Sequence, residues 1–288
     1  MPKKMQAYNK SELENYFLTE EAKKLYQKKF LSKEQLQNIN AQLVQLKSNP
    51  NIFFRIGFFF LGSFLISTII SAFGLILFPL ISEQYQIIFF FYAIVAYIGL
   101  EVLVNMKFFR HGLDDAFLLT SQISFSIGIG ILTAAILPVL IAMLVLGVFF
   151  AIRFINTISA LLAFIGLVGI FFNLIIEHDV MPKFYLSFVG LILAILVYFF
   201  VVHLAKNQNF YSYFKTLDTV RVASLLLGYL SMNYLVVREL SESLMNLEIT
   251  IKSDVPLAFV FYGLTFLIPL LYFFLGIKLK DKLVLYTG

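Results

Sequence analysis

From Ile52 onward the chain is a series of apolar runs with little between them, each near the ~20 residues that cross ~30 Å of hydrocarbon. They fall at roughly 54–78, 87–105, 116–134, 137–153, 157–176, 184–204, 219–237 and 256–277. Hydrophobic residues make up 60% of the 288 and charged residues only 14%. A soluble core of that length cannot hide so much apolar surface, whereas lipid can take its place. The expected fold class is therefore all-α: a polytopic transmembrane helical bundle of about eight spans.

Between Ala116 and Ile152 there is no charge, and only Pro138 marks a turn, so whether 116–153 holds one span or two needs a separate argument. Lysine and arginine favour the cytoplasmic side of a bacterial inner membrane. With eight spans, only Lys183, Arg238 and Lys252 of the 22 basic residues fall outside, a split of 19 to 3. Fusing spans three and four inverts everything downstream and gives 15 to 7. Eight spans with both ends in the cytoplasm fit better. The net charge of +5 then marks inner loops and anionic headgroups, and nucleic acid is not an expected partner.

Residues 1–51 form a separate polar segment, with no cleavable signal peptide expected. Thr19 before Glu20 and Glu21 reads as one helix start, and Ser32 with Gln35 as a capping box at a second. Leu25 and Phe30 flank the break, while Leu36, Ile39, Leu43 and Leu46 follow at helical spacing. This predicts a cytosolic helical hairpin that packs on itself, on the membrane surface or on a second copy, with ligand sensing as the alternative. At the other end, Lys280-Asp281-Lys282 is followed by LVLYTG. That tail reads either as the opening turn of a further span at 283–288, with the chain continuing, or as an interfacial segment.

Charges crowd most tightly in EVLVNMKFFRHGLDDAFLL, Glu101 to Leu119. Gly112 suits a left-handed cap ending span two, Asp114 an N-cap of span three, and Asp115 its first turn. Glu101 is the one acid placed within a span, ~9 Å below Lys107 at ~1.5 Å per residue. An ionisable group in hydrocarbon is costly and points to function. Arg55, Arg110, Arg153 and Arg221 fall at cytoplasmic span ends, and the forked guanidinium suits fixed ion pairs. The candidate arrangement is a rim network joining Glu101, Asp114, Asp115 and Asp218 to these arginines, against the alternative of separate solvated charges.

Within the spans, small residues recur every fourth position: Ser63, Ser67 and Ser71; Thr120, Ser124 and Gly128; and nearly so Ser224, Gly228 and Ser231. Such stripes favour helix contact over a solute path. Gln122, Asn173 and Asn233 are the strongest hydrogen-bonding groups there. No phosphate loop, zinc-binding His-Glu-x-x-His or nucleophile elbow is present, cysteine is absent, and the three histidines lie far apart. No cofactor, metal site or catalytic residue is expected. The outer loop Arg238–Pro256 sets Arg238 and Lys252 against Glu239, Glu242, Glu248 and Asp254.

In KKFLSKEQL (Lys28 to Leu36), NIFFRIGFFFLGSFL at the start of span one and FFRHGLDDAFLL, the chain resembles a family of uncharacterised bacterial polytopic membrane proteins defined as a domain of unknown function. The likeness covers roughly the first 120 residues and implies a cytosolic hairpin followed by spans. No activity or site residue comes with it. Two function classes follow. One is a non-catalytic membrane component (sensor, scaffold or assembly factor) that meets lipids and either a second copy or a protein partner through the hairpin or the 238–256 loop. The other is a permease for a small solute along a path lined by Ser, Thr and Gln122.

Overall fold

The computed structural model describes residues 6–43, 46–48, 51–77, 84–245 and 254–288. Among these the chain is all-α: α1 Lys10–Gln27, α2 Lys33–Gln42, α3 Ile52–Leu77, α4 Tyr85–Asn105, α5 Leu113–Thr133, α6 Ile136–Phe154, α7 Thr157–Ile176, α8 Leu186–Ala205, α9 Phe214–Met232, α10 Tyr234–Met245, α11 Ala258–Leu279 and α12 Lys282–Thr287. Seven helical segments are long and apolar enough to cross a membrane, and α9 with α10, bent by 69°, makes an eighth if the pair is one span. The chain divides into two compact units, 1–159 and 160–288.

In the first unit α5 is the central helix, packed against α3, α4 and α6. Its polar face explains why: Asp115, Ser121, Gln122, Ser124 and Ser126 are all buried. The stretch 116–153, uncharged up to Ile152, resolves into two helices. Ala134 adopts the left-handed conformation (φ 48°) and Ala135 is extended, which ends α5 and starts α6. Pro138 then sits in the first turn of α6, where its missing N–H has no partner to lose.

The hairpin starts earlier than Thr19 suggested. Asn9 caps α1, accepting from the Ser11 N–H at 3.1 Å, and Thr19 is buried inside the helix. The Leu13, Tyr16 and Phe17 stripe, at helical spacing, outweighs the internal cap signal. The Ser32–Gln35 capping box forms in both directions. However, α2 ends at Gln42, so Leu43 and Leu46 do not continue its stripe, and Lys47 instead pairs in extended form with Phe108.

The second unit packs α9 against α8 and α12 against α11 and α9. A core of Met232, Tyr234, Val237, Val255, Phe261 and Ile268 joins α9, α10 and α11. The seventh apolar run does not continue through 237, because the chain turns at Asn233. Its Oδ1 accepts from the N–H groups of Leu235 and Val236 at 3.0 and 3.3 Å, and so caps a new helix. Arg238 to Met245 belongs to that helix, α10; of the rest of the expected outer loop, 246–253 lie outside the described residues and Val255 is buried in the core. The C-terminal segment folds back on α11, with the Leu285 backbone close against Gly276.

Two of the three small-residue stripes face neighbours: Ser124 and Gly128, and Ser224 with Ser231, are buried. The stripe on α3 does not. Ser67 and Ser71 are exposed, and the Ser67 hydroxyl donates back to the Phe64 carbonyl. A periodic row of small residues specifies a face and says nothing of whether a helix of the same chain covers it.

Candidate functional site

The crowded stretch between α4 and α5 is the point where the hairpin, α3 and α6 all attach. Helix α4 ends in a Schellman motif, with Lys107 rather than Gly112 as the left-handed residue (φ 66°). The Lys107 N–H bonds the Val104 carbonyl at 2.8 Å, and the Phe108 N–H bonds that of Leu103 at 3.0 Å. Gly112 has φ 108° and lies against α3. A Cβ there would overlap the Arg55 carbonyl oxygen, so only glycine fits.

Asp114 is not the N-cap of α5, which starts at Leu113 with Gly112 in the cap position, and it binds the turn rather than an arginine side chain. Its carboxylate accepts from the backbone N–H groups of Arg110 (2.7 Å), His111 (2.9 Å) and Gly112 (2.9 Å). Left-handed Lys107 and Arg110 (φ 52°) each cost ~1–2 kcal/mol. Charge-assisted bonds contribute ~1.5–3 kcal/mol apiece, so one buried carboxylate offsets that strain.

Asp115 points the other way, into the bundle. Arg55 donates to its Oδ2 through Nε at 2.8 Å and Nη2 at 2.6 Å, and Asn156 Nδ2 donates to its Oδ1 at 2.8 Å. Asn156 Oδ1 in turn accepts from the Ser159 N–H at 3.0 Å, capping the start of α7. One carboxylate thus ties α3, α5 and the α6–α7 junction together. Glu101 on α4 meets Arg153 on α6, whose Nε and Nη2 both reach Oε1 at 2.7 Å.

The hairpin docks on the outer side of the same turn. Lys47 exchanges two backbone bonds with it: its N–H donates to Lys107 O (2.8 Å) and its carbonyl accepts from Phe109 N (3.0 Å). The Tyr8 hydroxyl donates to Phe108 O at 3.0 Å, and Lys107 pairs with Glu12 at 2.7 Å. Phe109, fully buried, receives the edges of Tyr8 and Tyr16, each ring 5.0 Å away. The Ala7 N–H donates to the carbonyl of Arg153 itself (2.9 Å).

Burial sets the proton affinities here. It holds the Tyr8 phenol well above its ordinary range, helped by the negative Asp114, Asp115 and Glu101. Burial likewise raises Tyr16 and lowers Arg110. The imidazole of His111, between the rings of Phe58 and Phe108, loses proton affinity to burial as well.

Of the sequence candidates, then, the first unit pairs Arg55 with Asp115 and Glu101 with Arg153, and it uses Asp114 on backbone. Arg110 lies over the Phe109 ring at 5.2 Å, and its buried Nη2 has no hydrogen-bond partner among the described residues. Gln122, 1% exposed, lies ~10 Å along α5 from Asp115 and makes one long bond to Met143 O at 3.5 Å. In the second unit Arg221 binds Asp281 at 3.1 and 3.2 Å and Asp218 at 3.4 Å. Asn156 and Asp281 were not anticipated. Each caps a helix, and an Asn or Asp directly before Thr157 or Lys282 was a readable signal for both. Among the described residues no group of His, Cys, Asp and Glu could hold a metal ion. No family model, curated protein or solved structure matches the chain.

Proposed function

We propose that this integral membrane protein is a non-catalytic component of the bacterial cytoplasmic membrane, a sensor, scaffold or assembly factor with its N-terminus in the cytoplasm. Its hairpin is a module held at the inner ends of α3, α4 and α6 by the Met106–Gly112 turn. The observation that carries this reading is how the charges are used. Three carboxylates (Glu101, Asp114, Asp115) stand against three guanidinium groups (Arg55, Arg110, Arg153), and each carboxylate is bound by a side chain or by backbone of the same unit. A group that must gain or lose a proton in a reaction needs an open side, and these carboxylates are spent on positioning helices. The resemblance of the first 120 residues is compatible with this role and brings no activity with it.

One feature favours the permease as a second reading: a broken helix often marks a transport site. The break at Asn233 has a different character. Asp218 to Asn233 is ~22 Å at ~1.5 Å per residue, beyond the centre of a ~30 Å core. Its polar groups are also occupied internally. Asn233 Nδ2 donates to the Tyr229 hydroxyl at 2.8 Å, and the Tyr234 N–H donates to Thr265 Oγ1 at 2.9 Å.

Thiol accessibility separates the two, because the chain has no cysteine to remove. Ser121→Cys and Ser124→Cys, both at buried positions, should resist membrane-impermeant thiol reagents from either side. Labelling at either position would reveal a water-filled path and favour the permease. Ser82 lies outside the described residues; by the charge-derived topology Ser82→Cys should react only from outside, and reaction only from the cytoplasm would overturn that topology.

A further inference from the structure

We infer that the free edge of the hairpin seats on the anionic headgroups of the leaflet that its own spans enter. Helix α1 ends in a second Schellman motif, with left-handed Lys29 (φ 64°) and the Phe30 N–H bonded to Leu25 O at 2.9 Å. In that motif the residue after the left-handed one packs on the last turn of the helix. Here it builds an apolar tip that faces outward, with Phe30 74% and Leu25 44% exposed. Leu18, one side of α1 below Leu25, extends the strip at 53% exposure. The opposite side of α1, Leu13 with Tyr16 and Phe17, is already buried.

Charge selects the occupant. Lys24, Lys28, Lys29 and Lys33 are all exposed and flank Phe30 along the chain, with no acid between Lys23 and Lys33. An exposed apolar tip flanked by exposed lysines matches a headgroup layer of anionic lipid: aromatic and aliphatic atoms enter the boundary while the lysines meet phosphate. Position agrees. The hairpin is bonded at Ala7 to Arg153 and at Lys47 to Lys107, and both partners sit at ends of membrane helices. Helix α2 is only ~15 Å long at ~1.5 Å per residue, so the tip cannot travel far from the plane where those helices end.

This proposal rests on the functional reading only in placing the hairpin on the cytoplasmic face, and its readout is independent of any solute path. The chain contains no tryptophan, so Phe30→Trp in the full-length protein gives a single indole reporter. It would be reconstituted in phosphatidylcholine vesicles with and without phosphatidylglycerol, using lipids brominated on the acyl chains as quenchers. In the anionic bilayers the emission should shift to the blue and be quenched. Each exposed lysine at an anionic surface multiplies the seated population about five-fold. Lys24→Gln, Lys28→Gln, Lys29→Gln and Lys33→Gln together should therefore return the indole to its solvent-exposed emission. So should ~1 M salt, which shrinks the screening length to ~3 Å. An indole that is water-exposed in both bilayers overturns the proposal, as does equal quenching in both. A shift that follows protein density rather than lipid charge would assign the surface to a second copy, which also overturns it.

Discussion

The contact between Arg55 and Asp115 permits a test in which two single changes and their combination should not add. Asp115 is 5% exposed, whereas Arg55 is 31% exposed, so the two partners differ in what they lose when left alone. Arg55→Ala leaves a buried carboxylate with Asn156 as its remaining side-chain donor, and an uncompensated buried charge costs about 3–5 kcal/mol. Asp115→Asn removes the charge but keeps an oxygen for Asn156, and the guanidinium can turn to water. The loss there is one set of charge-assisted bonds, about 1.5–3 kcal/mol. In the double variant no charge is stranded, so it should be more stable than Arg55→Ala by roughly 1–2 kcal/mol. Distant, independent changes add to within ~0.5 kcal/mol, so the coupling should be far outside that margin. The assay is reversible unfolding in mixed micelles, titrated with SDS and followed by far-UV circular dichroism. If Arg55→Ala costs under about 1 kcal/mol, or if the double variant equals the sum of the singles, Asp115 does not hold α3 in place.

Glu101→Gln should cost little, about 0.5–1 kcal/mol in the same assay, because Glu101 and Arg153 are 27% and 25% exposed. A wholly unchanged stability would show that the pair fixes nothing. Phe109→Ala empties the pocket between Tyr8 and Tyr16 and should cost about 3–5 kcal/mol locally. Amide exchange should then rise through α1 while the α5–α6 core keeps its protection; uniform loss of protection would mean the hairpin is not a separate unit. For His111 burial depresses the folded pKa, so the unfolded chain takes up the proton first. Its contribution is present above the unfolded value near 6.5 and is lost as pH falls through the folded one. Unfolding curves from pH 8 to 5 should show stability falling below about 6.5, and His111→Phe should flatten that slope.

The spans were legible because burial in lipid leaves a one-dimensional record: length and apolar content locate each helix with no knowledge of its neighbours. The arginine and carboxylate candidates were legible for a similar reason, since a charge beside an apolar run has few places to go. Pairing was not. Arg55 is far from Asp115 in the chain, and the cap and first-turn positions read for Asp114 and Asp115 do not reveal that Asp115 binds Arg55 while Asp114 binds backbone. Helical geometry decides it, because neighbours point about 100° apart. Lys29, Lys107 and Lys280 were also unreadable as cap residues, because each occupies a left-handed position where glycine is the usual signal. Gly112, the one glycine in the crowded turn, is required for close approach to α3 rather than for ending α4.

The attachments at the turn also determine what the hairpin can transmit. Arg153 is held twice, by its guanidinium on Glu101 and by its carbonyl on the Ala7 N–H. Lys107 is likewise held by Glu12 through its ammonium and by Lys47 through its carbonyl. Gly112, a few residues on, is wedged against the Arg55 backbone, while the Arg55 side chain grips Asp115. Moving the hairpin therefore strains the ends of α4 and α6 directly, and α3 through the turn. Packed interiors respond by switching between arrangements rather than by gradual deformation. A ligand or lipid that binds one hairpin position better than another shifts that balance only by its difference in affinity. Seating of the lysine-flanked tip at an anionic surface is one such difference, and it acts on helices that the hairpin's own residues already hold.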